Sequence, residues 1–278
     1  MSSKHLPNAA GSAQVVLLDG GGFTTTDDTK IHANGHDKPY YFCNPVGPRR
    51  TLVDQLKYLD VQPEDIDVVL FSHAHWDHCR PVKKEFPNAK VFFGPGTTSH
   101  CSPGHIQDGQ IMPMIQWDSR FFGDETAKTE TYQELSGPWV QWGPFDKAMD
   151  YFGDGSLWII QAPGHMAGNL AAVVRKSPGN HVILASDCCH SRDIFQGRKD
   201  IAEVTLTDGS SFCLHEDVLA ARHTIDRLRE AVDDYGMHMA MTHDAEWIKE
   251  QKDEVLMSIL HPFFDEHCLL RIRAHLRP

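Results

Sequence analysis

A chain of 278 residues is long enough to bury a sizeable core without disulfide staples. Its formal charge of −12 excludes the basic footprint that nucleic acid demands, and no run of about 18 apolar residues offers a membrane span. Seven cysteines, an odd number with no CxxC pair, fit a reduced, cytoplasmic compartment better than a disulfide framework.

In chain order, residues 1–12 are small and polar and read as a flexible lead-in to one domain spanning 13–278. Residues 15–18 form an apolar run that predicts a buried strand, ending at Asp19 and a glycine turn. Tyr40, Tyr41 and Phe42 are candidates for a pocket wall. Leu52, Val53, Leu56 and Leu59 recur at helical spacing until Pro63. Residues 66–71 read as a buried strand that runs directly into His73-Ala74-His75-Trp76-Asp77-His78. Residues 89–93 read as another strand.

From 103 to about 155 glycine, proline and large aromatics dominate without a clean period. The spacing then predicts strands over 157–160, 170–174 and 182–185, the last two joined by a turn at Ser177-Pro178-Gly179-Asn180. Val218, Ala221, Ile225, Leu228 and Val232 line one face of a helix over 217–235, stopped by Gly236. A strand over 237–241 ends at His243, and a last helix is expected over 245–260, before Pro262.

Each group of ligand-type residues follows the end of an apolar strand, where a rigid element can hold side chains at fixed positions. In an extended segment, side chains at i and i+2 share a face, so His73 and His75 can converge on one cation. Asp77 and His78 follow where the chain should turn and can address a second. A lone histidine is usually a hydrogen-bonded core residue, but four ligand-type side chains in six positions are poorly explained that way. Zinc accepts nitrogen and carboxylate donors, and a catalytic site leaves one position for water.

This His-x-His-x-Asp-His segment resembles the signature of the metallo-β-lactamase superfamily. The likeness continues through His165 in Pro163-Gly164-His165, Asp187 after its strand, and His243 in Thr242-His243-Asp244. It implies an α/β fold, the four-layer αβ/βα sandwich, as a single domain with an aromatic insertion at about 103–155. It also implies two Zn2+ ions. The first would be held by His73, His75 and His165, the second by Asp77, His78 and His243, with Asp187 bridging. Such a pair carries a hydroxide at neutral pH and polarises the carbonyl it attacks, and Asp77 is placed to orient that hydroxide.

Within the superfamily the order of elements resembles the lactonases that open acyl-homoserine lactones. Those enzymes carry a substrate-contacting tyrosine three residues after the bridging aspartate; here the position holds His190. A histidine there can donate a hydrogen bond to an oxyanion or a proton to a leaving nitrogen, which suits a lactam or cyclic carbamate. The alternative, a solvent-facing or turn-capping residue, stands beside it. Trp117, Phe121, Phe122, Trp139 and Trp142 would form a lid over an apolar or aromatic small-molecule substrate, or a homodimer contact. Fungal relatives of this type open benzoxazolinone-like carbamates made by plants, a detoxification. Cys188 and Cys189 read as packing residues.

Two rival enzymes share the fold. Glyoxalase II-type thioesterases usually add a C-terminal helical domain, for which the roughly 35 residues after His243 are too few. Persulfide dioxygenases use one iron on two histidines and an aspartate, fewer ligands than the seven here. Relatives that serve only as scaffolds lose ligands, and this chain has lost none.

Overall fold

The computed structural model describes residues 4–18, 22–25, 43–46, 50–112, 114–206, 208–242, 244 and 246–264. Asp19 and the two glycines after it, Tyr40, Tyr41, Phe42 and His243 lie outside the described residues. The chain folds as two units: Leu18–Leu135 with Val204–Phe212, and Met1–Leu17 with Ser136–Glu203 and Cys213–Pro278.

In the first unit, β1 (Gly22–Thr25) and β2 (Cys43–Val46) pair antiparallel. Helix α1 (Leu52–Tyr58) begins where the Thr51 hydroxyl accepts the Asp54 N–H at 3.1 Å. Strands β3 (Val68–Leu70) and β4 (Lys90–Phe93) pair in parallel. After α2 (Thr97–Cys101) come β5 (Ile106–Gln107) and β6 (Gln110–Ile111), then α3 (Ser119–Phe122), and β7 (Gln133–Glu134) joins β4 in parallel. The core of this unit is aromatic. Phe93 and Phe121 are fully buried and cross edge to face at 5.5 Å, with Phe71, Phe122 and Tyr132 around them.

In the second unit, β8 (Val140–Trp142), β9 (Phe145–Asp150), β10 (Leu157–Gln161), β11 (Leu170–Arg175) and β12 (His181–Leu184) run antiparallel in sequence order. Short helix α4 (Arg192–Phe195) follows. The hairpin of β13 (Val204–Thr205) and β14 (Ser211–Phe212) belongs to the first unit. Helix α5 (Val218–Asp233) then crosses back, so that β15 (His238–Ala240) pairs in parallel with β12 at the sheet edge. Strand β12 is covered on both faces. Ile183 packs with Ala221, Ile225 and Leu228 of α5, while Val182 packs with Trp247, Ile248 and Leu256. This double burial explains why the segment reads as a continuous apolar run instead of an alternating one.

Three expectations change. The 15–18 strand reduces to one bridge, Leu17 to Leu260, because Val15 and Leu17 turn toward the C-terminal apolar cluster while Val16 faces out. Residues 4–13 are not a loose lead-in: the Lys4 N–H donates to the Asp234 carbonyl and the Gly11 N–H to that of Asp154, while Leu6 joins the core. A polar composition does not prevent backbone pairing. The 245–260 helix is two pieces, α6 (Glu246–Glu250) and α7 (Glu254–Met257). Gln251 takes φ +54°, and the Asp253 carboxylate restarts the helix by accepting the N–H groups of Val255 and Leu256, each at 3.0 Å.

Candidate metal centre

Strand β3 delivers the first cluster. The Phe71 N–H donates to the Phe92 carbonyl, so the chain is still extended as it enters the motif. His73 and His75 bring their rings to 4.8 Å. The chain turns at once: the His78 and Cys79 N–H groups both donate to the His75 carbonyl, at 3.0 and 2.9 Å. That turn carries the His78 ring to 4.1 Å from His73, with Asp77 Oδ2 3.7 Å from His78 Nε2. His73 is completely buried, and the Ser72 hydroxyl lies 3.1 Å from its Nδ1. Three imidazoles and a carboxylate thus converge at the end of one short strand.

The second unit builds another cluster from three separate junctions. After β10, Gly164 (φ +125°) and His165 are clamped against the start of α5. The Asp217 N–H donates to the Gly164 carbonyl at 2.9 Å, the Glu216 N–H to that of His165 at 3.1 Å, and the Thr224 hydroxyl to that of Pro163 at 2.6 Å. After β12, a 3-10 turn over Ser186–Cys188 presents Asp187, with Ser186 at φ +50°. His165 Nε2 lies 3.7 Å from Asp187 Oδ2, and His190 Nε2 lies 3.4 Å from the same oxygen. The third junction, just before α5, supplies His215, whose Nε2 is 3.3 Å from His190 Nδ1. One ring nitrogen from each of His165, His190 and His215 lies within 4.8 Å of the other two. His165, Asp187 and His215 are all buried. Burial pushes the His215 imidazole down to about 4, the neighbouring His190 adds to that, and Asp187 opposes it.

The predicted residues sort as follows. His73, His75, Asp77 and His78 lie together in one unit, and His165, Asp187 and His190 lie together in the other. His243 is outside the described residues, but Thr242 before it donates its N–H to the Ser186 carbonyl at 3.3 Å. His190 is partly buried and faces Asp187 and His215. Cys188 and Cys189 pack in the core, and burial holds the Cys188 thiol up at about 12.

Among the predicted substrate aromatics, Trp117 stacks on His75 at 5.6 Å and 15°. Phe121 and Phe122 are instead core residues packed on β4, and Trp142 is stacked on Trp158 at 4.5 Å within the sheet's own core. The side chains of Phe121 and Phe122 are spent on packing, whereas Trp142 and Trp158 also line a cavity with Pro7, Asp150 and His181. Trp139 is half-buried just before β8. His215 escaped the sequence reading. It sits at a strand-to-helix junction, in Cys213-Leu214-His215-Glu216, the same kind of place that yielded the other candidates.

The donors in both clusters are imidazole nitrogens and carboxylate oxygens. That mixture suits zinc or a neighbouring transition metal better than the all-oxygen shells of calcium or magnesium.

The metallo-beta-lactamase superfamily model matches residues 10–83, which include the first histidine cluster. The chain is 28% identical over 137 residues to the gamma-lactamase MBL2 of Gibberella moniliformis, covering 46% of this chain and 51% of that protein. It is 27% identical over 184 residues to the N-acyl homoserine lactonase AttM of Rhizobium radiobacter, covering 64% and 61%. It spans only 23% of the length of the cytochrome P450 monooxygenase mpaDE' of Penicillium brevicompactum, which it also matches. One solved enzyme structure aligns at a TM-score of 0.50 and 17% identity over 76% of this chain and 68% of its own, a likeness of fold.

Proposed function

We propose that this chain, whose residues 10–83 match the metallo-β-lactamase superfamily model, is a metallo-hydrolase of the lactonase and lactamase type that opens a small cyclic ester or amide on two zinc ions. The observation that carries this reading is the pair of strand-end clusters, each a set of imidazoles with a carboxylate around at least one buried histidine, His73 in one and His165 in the other. His73, His75 and His165 would hold one ion. Asp77, His78 and His243 would hold the other, with Asp187 shared.

When bound, the ions supply a water of lowered pKa and a Lewis acid for the carbonyl. The chain's own residues do the rest. Asp77 accepts a hydrogen bond from the attacking water and orients it. His190 donates from Nε2 to the oxygen that gains charge as the carbonyl becomes tetrahedral, or to the leaving heteroatom. Trp117, stacked on His75, offers a flat apolar face to the ring of the substrate. The names of the two relatives bracket the substrate class, a lactone for one and a γ-lactam for the other.

A cytoplasmic setting is supported by the free thiols of Cys79, Cys188, Cys189 and Cys213. Among the described residues no helix is long and apolar enough to cross a membrane.

The test is a hydrolysis panel on zinc-loaded protein: acyl-homoserine lactones, aromatic lactones, benzoxazolinones, β-lactams and glutathione thioesters. Turnover of a cyclic ester or amide, abolished by chelation and restored by zinc, is the expected result. Turnover of the thioester alone, or oxygen uptake with a persulfide on iron-loaded protein, would overturn it.

A further inference from the structure

We propose that His215 is a positioning residue: its Nε2–H donates to His190 Nδ1 and so fixes His190 as an Nε2–H donor facing Asp187. The inference rests on the hydrolase reading for its consequence but not for its geometry.

His215 is 3% exposed, and its Nδ1 is buried with no hydrogen-bond partner among the described residues. A proton placed there would be a donor without an acceptor, taken out of water for nothing in return. A bare ring nitrogen forfeits less. The ring proton of a neutral His215 therefore belongs on Nε2, which lies 3.3 Å from His190 Nδ1. With Nδ1 of His190 accepting, its ring proton sits on Nε2. That nitrogen lies 3.4 Å from Asp187 Oδ2, where a lone pair would be repelled by the carboxylate and an N–H is attracted. Both ends of the chain thus select the same tautomer.

The backbone makes the arrangement stiff. His215 immediately precedes Glu216 and Asp217, whose N–H groups hold the His165 and Gly164 carbonyls, and its own N–H donates to Cys213 Sγ at 3.3 Å. His215 therefore keeps its place relative to His165 as well as to His190, with ring centroids 5.5 and 4.9 Å away. A residue that carries a donor to the reacting oxygen without needing a protonated imidazole is chemically equivalent to a tyrosine hydroxyl. A metal ion on the same three histidines is the rival arrangement, and it would make His215 a ligand rather than a donor.

Histidine-selective two-bond 15N–1H spectra of the zinc-loaded full chain test the tautomer directly. His190, assigned by its loss in His190→Ala, should show the Nε2–H pattern. In His215→Leu it should become a mixture of tautomers, with kcat on the best cyclic substrate down about tenfold, KM little changed and zinc content intact. His215→Gln, whose amide N–H2 can replace Nε2–H, should restore most of kcat and the tautomer. An Nδ1–H pattern for His190 in the unmodified protein overturns the proposal, as does an unchanged tautomer in His215→Leu. Loss of zinc from His215→Leu would make it a ligand and overturn it too. If the leucine variant fails to fold, the unmodified and glutamine proteins decide. An Nε2–H tautomer without turnover of any cyclic ester or amide would sink the hydrolase reading and leave the positioning role standing.

Discussion

Gly164→Ala should be among the most damaging small substitutions in the second unit. Gly164 sits at φ +125°, a region closed to side chains with a Cβ, and persists there because its carbonyl is held by the Asp217 N–H. Forcing alanine into such a conformation costs about 1–3 kcal/mol. The added methyl would also lie 2.7 Å from Ala221 Cβ and closer still to that residue's backbone N and Cα. Backbone atoms in the first turn of α5 cannot swing aside as a long side chain would, so overpacking adds about 1–3 kcal/mol. The sum, on the order of 2–6 kcal/mol, is a large share of the ~5–15 kcal/mol that holds an ordinary domain folded. Gly236→Ala is the control. It too has a positive φ, +67°, but nothing among the described residues lies within 4 Å of its added Cβ, so it should lose only about 1–2 kcal/mol. Denaturant titrations of the two variants isolate the clash. Metal content, measured where both are folded, should fall only for Gly164→Ala, because residues 163–165 must retreat from α5 and take His165 with them. Equal destabilisation of the two variants, or an unaltered metal content in a well-folded Gly164→Ala, would refute this account of the Pro-Gly-His turn.

Phe121→Ala empties the centre of the aromatic cluster formed with Phe71, Phe93, Phe122 and Tyr132, and should cost about 3–5 kcal/mol in a urea titration. A Phe121→Ala protein of near-native stability would return this residue to the pocket wall. For Asp118, burial alone would raise the carboxyl, but the Arg120 guanidinium and the Arg120 N–H it accepts at 2.9 Å hold it below its ordinary value. A carboxyl lowered in the folded state stabilises above its unfolded pKa and loses that contribution as pH falls through the folded one. Asp118→Asn should therefore be less stable than the unmodified protein at neutral pH, with the gap closing between about pH 5 and pH 2. A gap that stays constant over that range would show that the ion pair adds nothing.

Local pattern alone determined a good deal of this protein. The apolar runs at β3, β10, β11 and β12 and the 3.6-residue stripe of α5 are properties of neighbouring residues. So is the i, i+2 placement of His73 and His75, because an extended chain puts alternate side chains on one face. The stop at Gly236 and the clustering of ligand-type residues at strand ends were equally legible. Only the tertiary structure decided which aromatics are core. Phe121 and Trp117 are near neighbours of similar character, yet one is sealed against Phe93 and the other lies on His75. It alone split the last helix, where the capping carboxylate of Asp253 outweighed helical periodicity. It alone brought His215 to His190 across 25 positions of chain. Contacts of that kind depend on where a distant segment is anchored, here by the clamp of residues 163–165 on the start of α5, and no window of sequence around His215 contains that information.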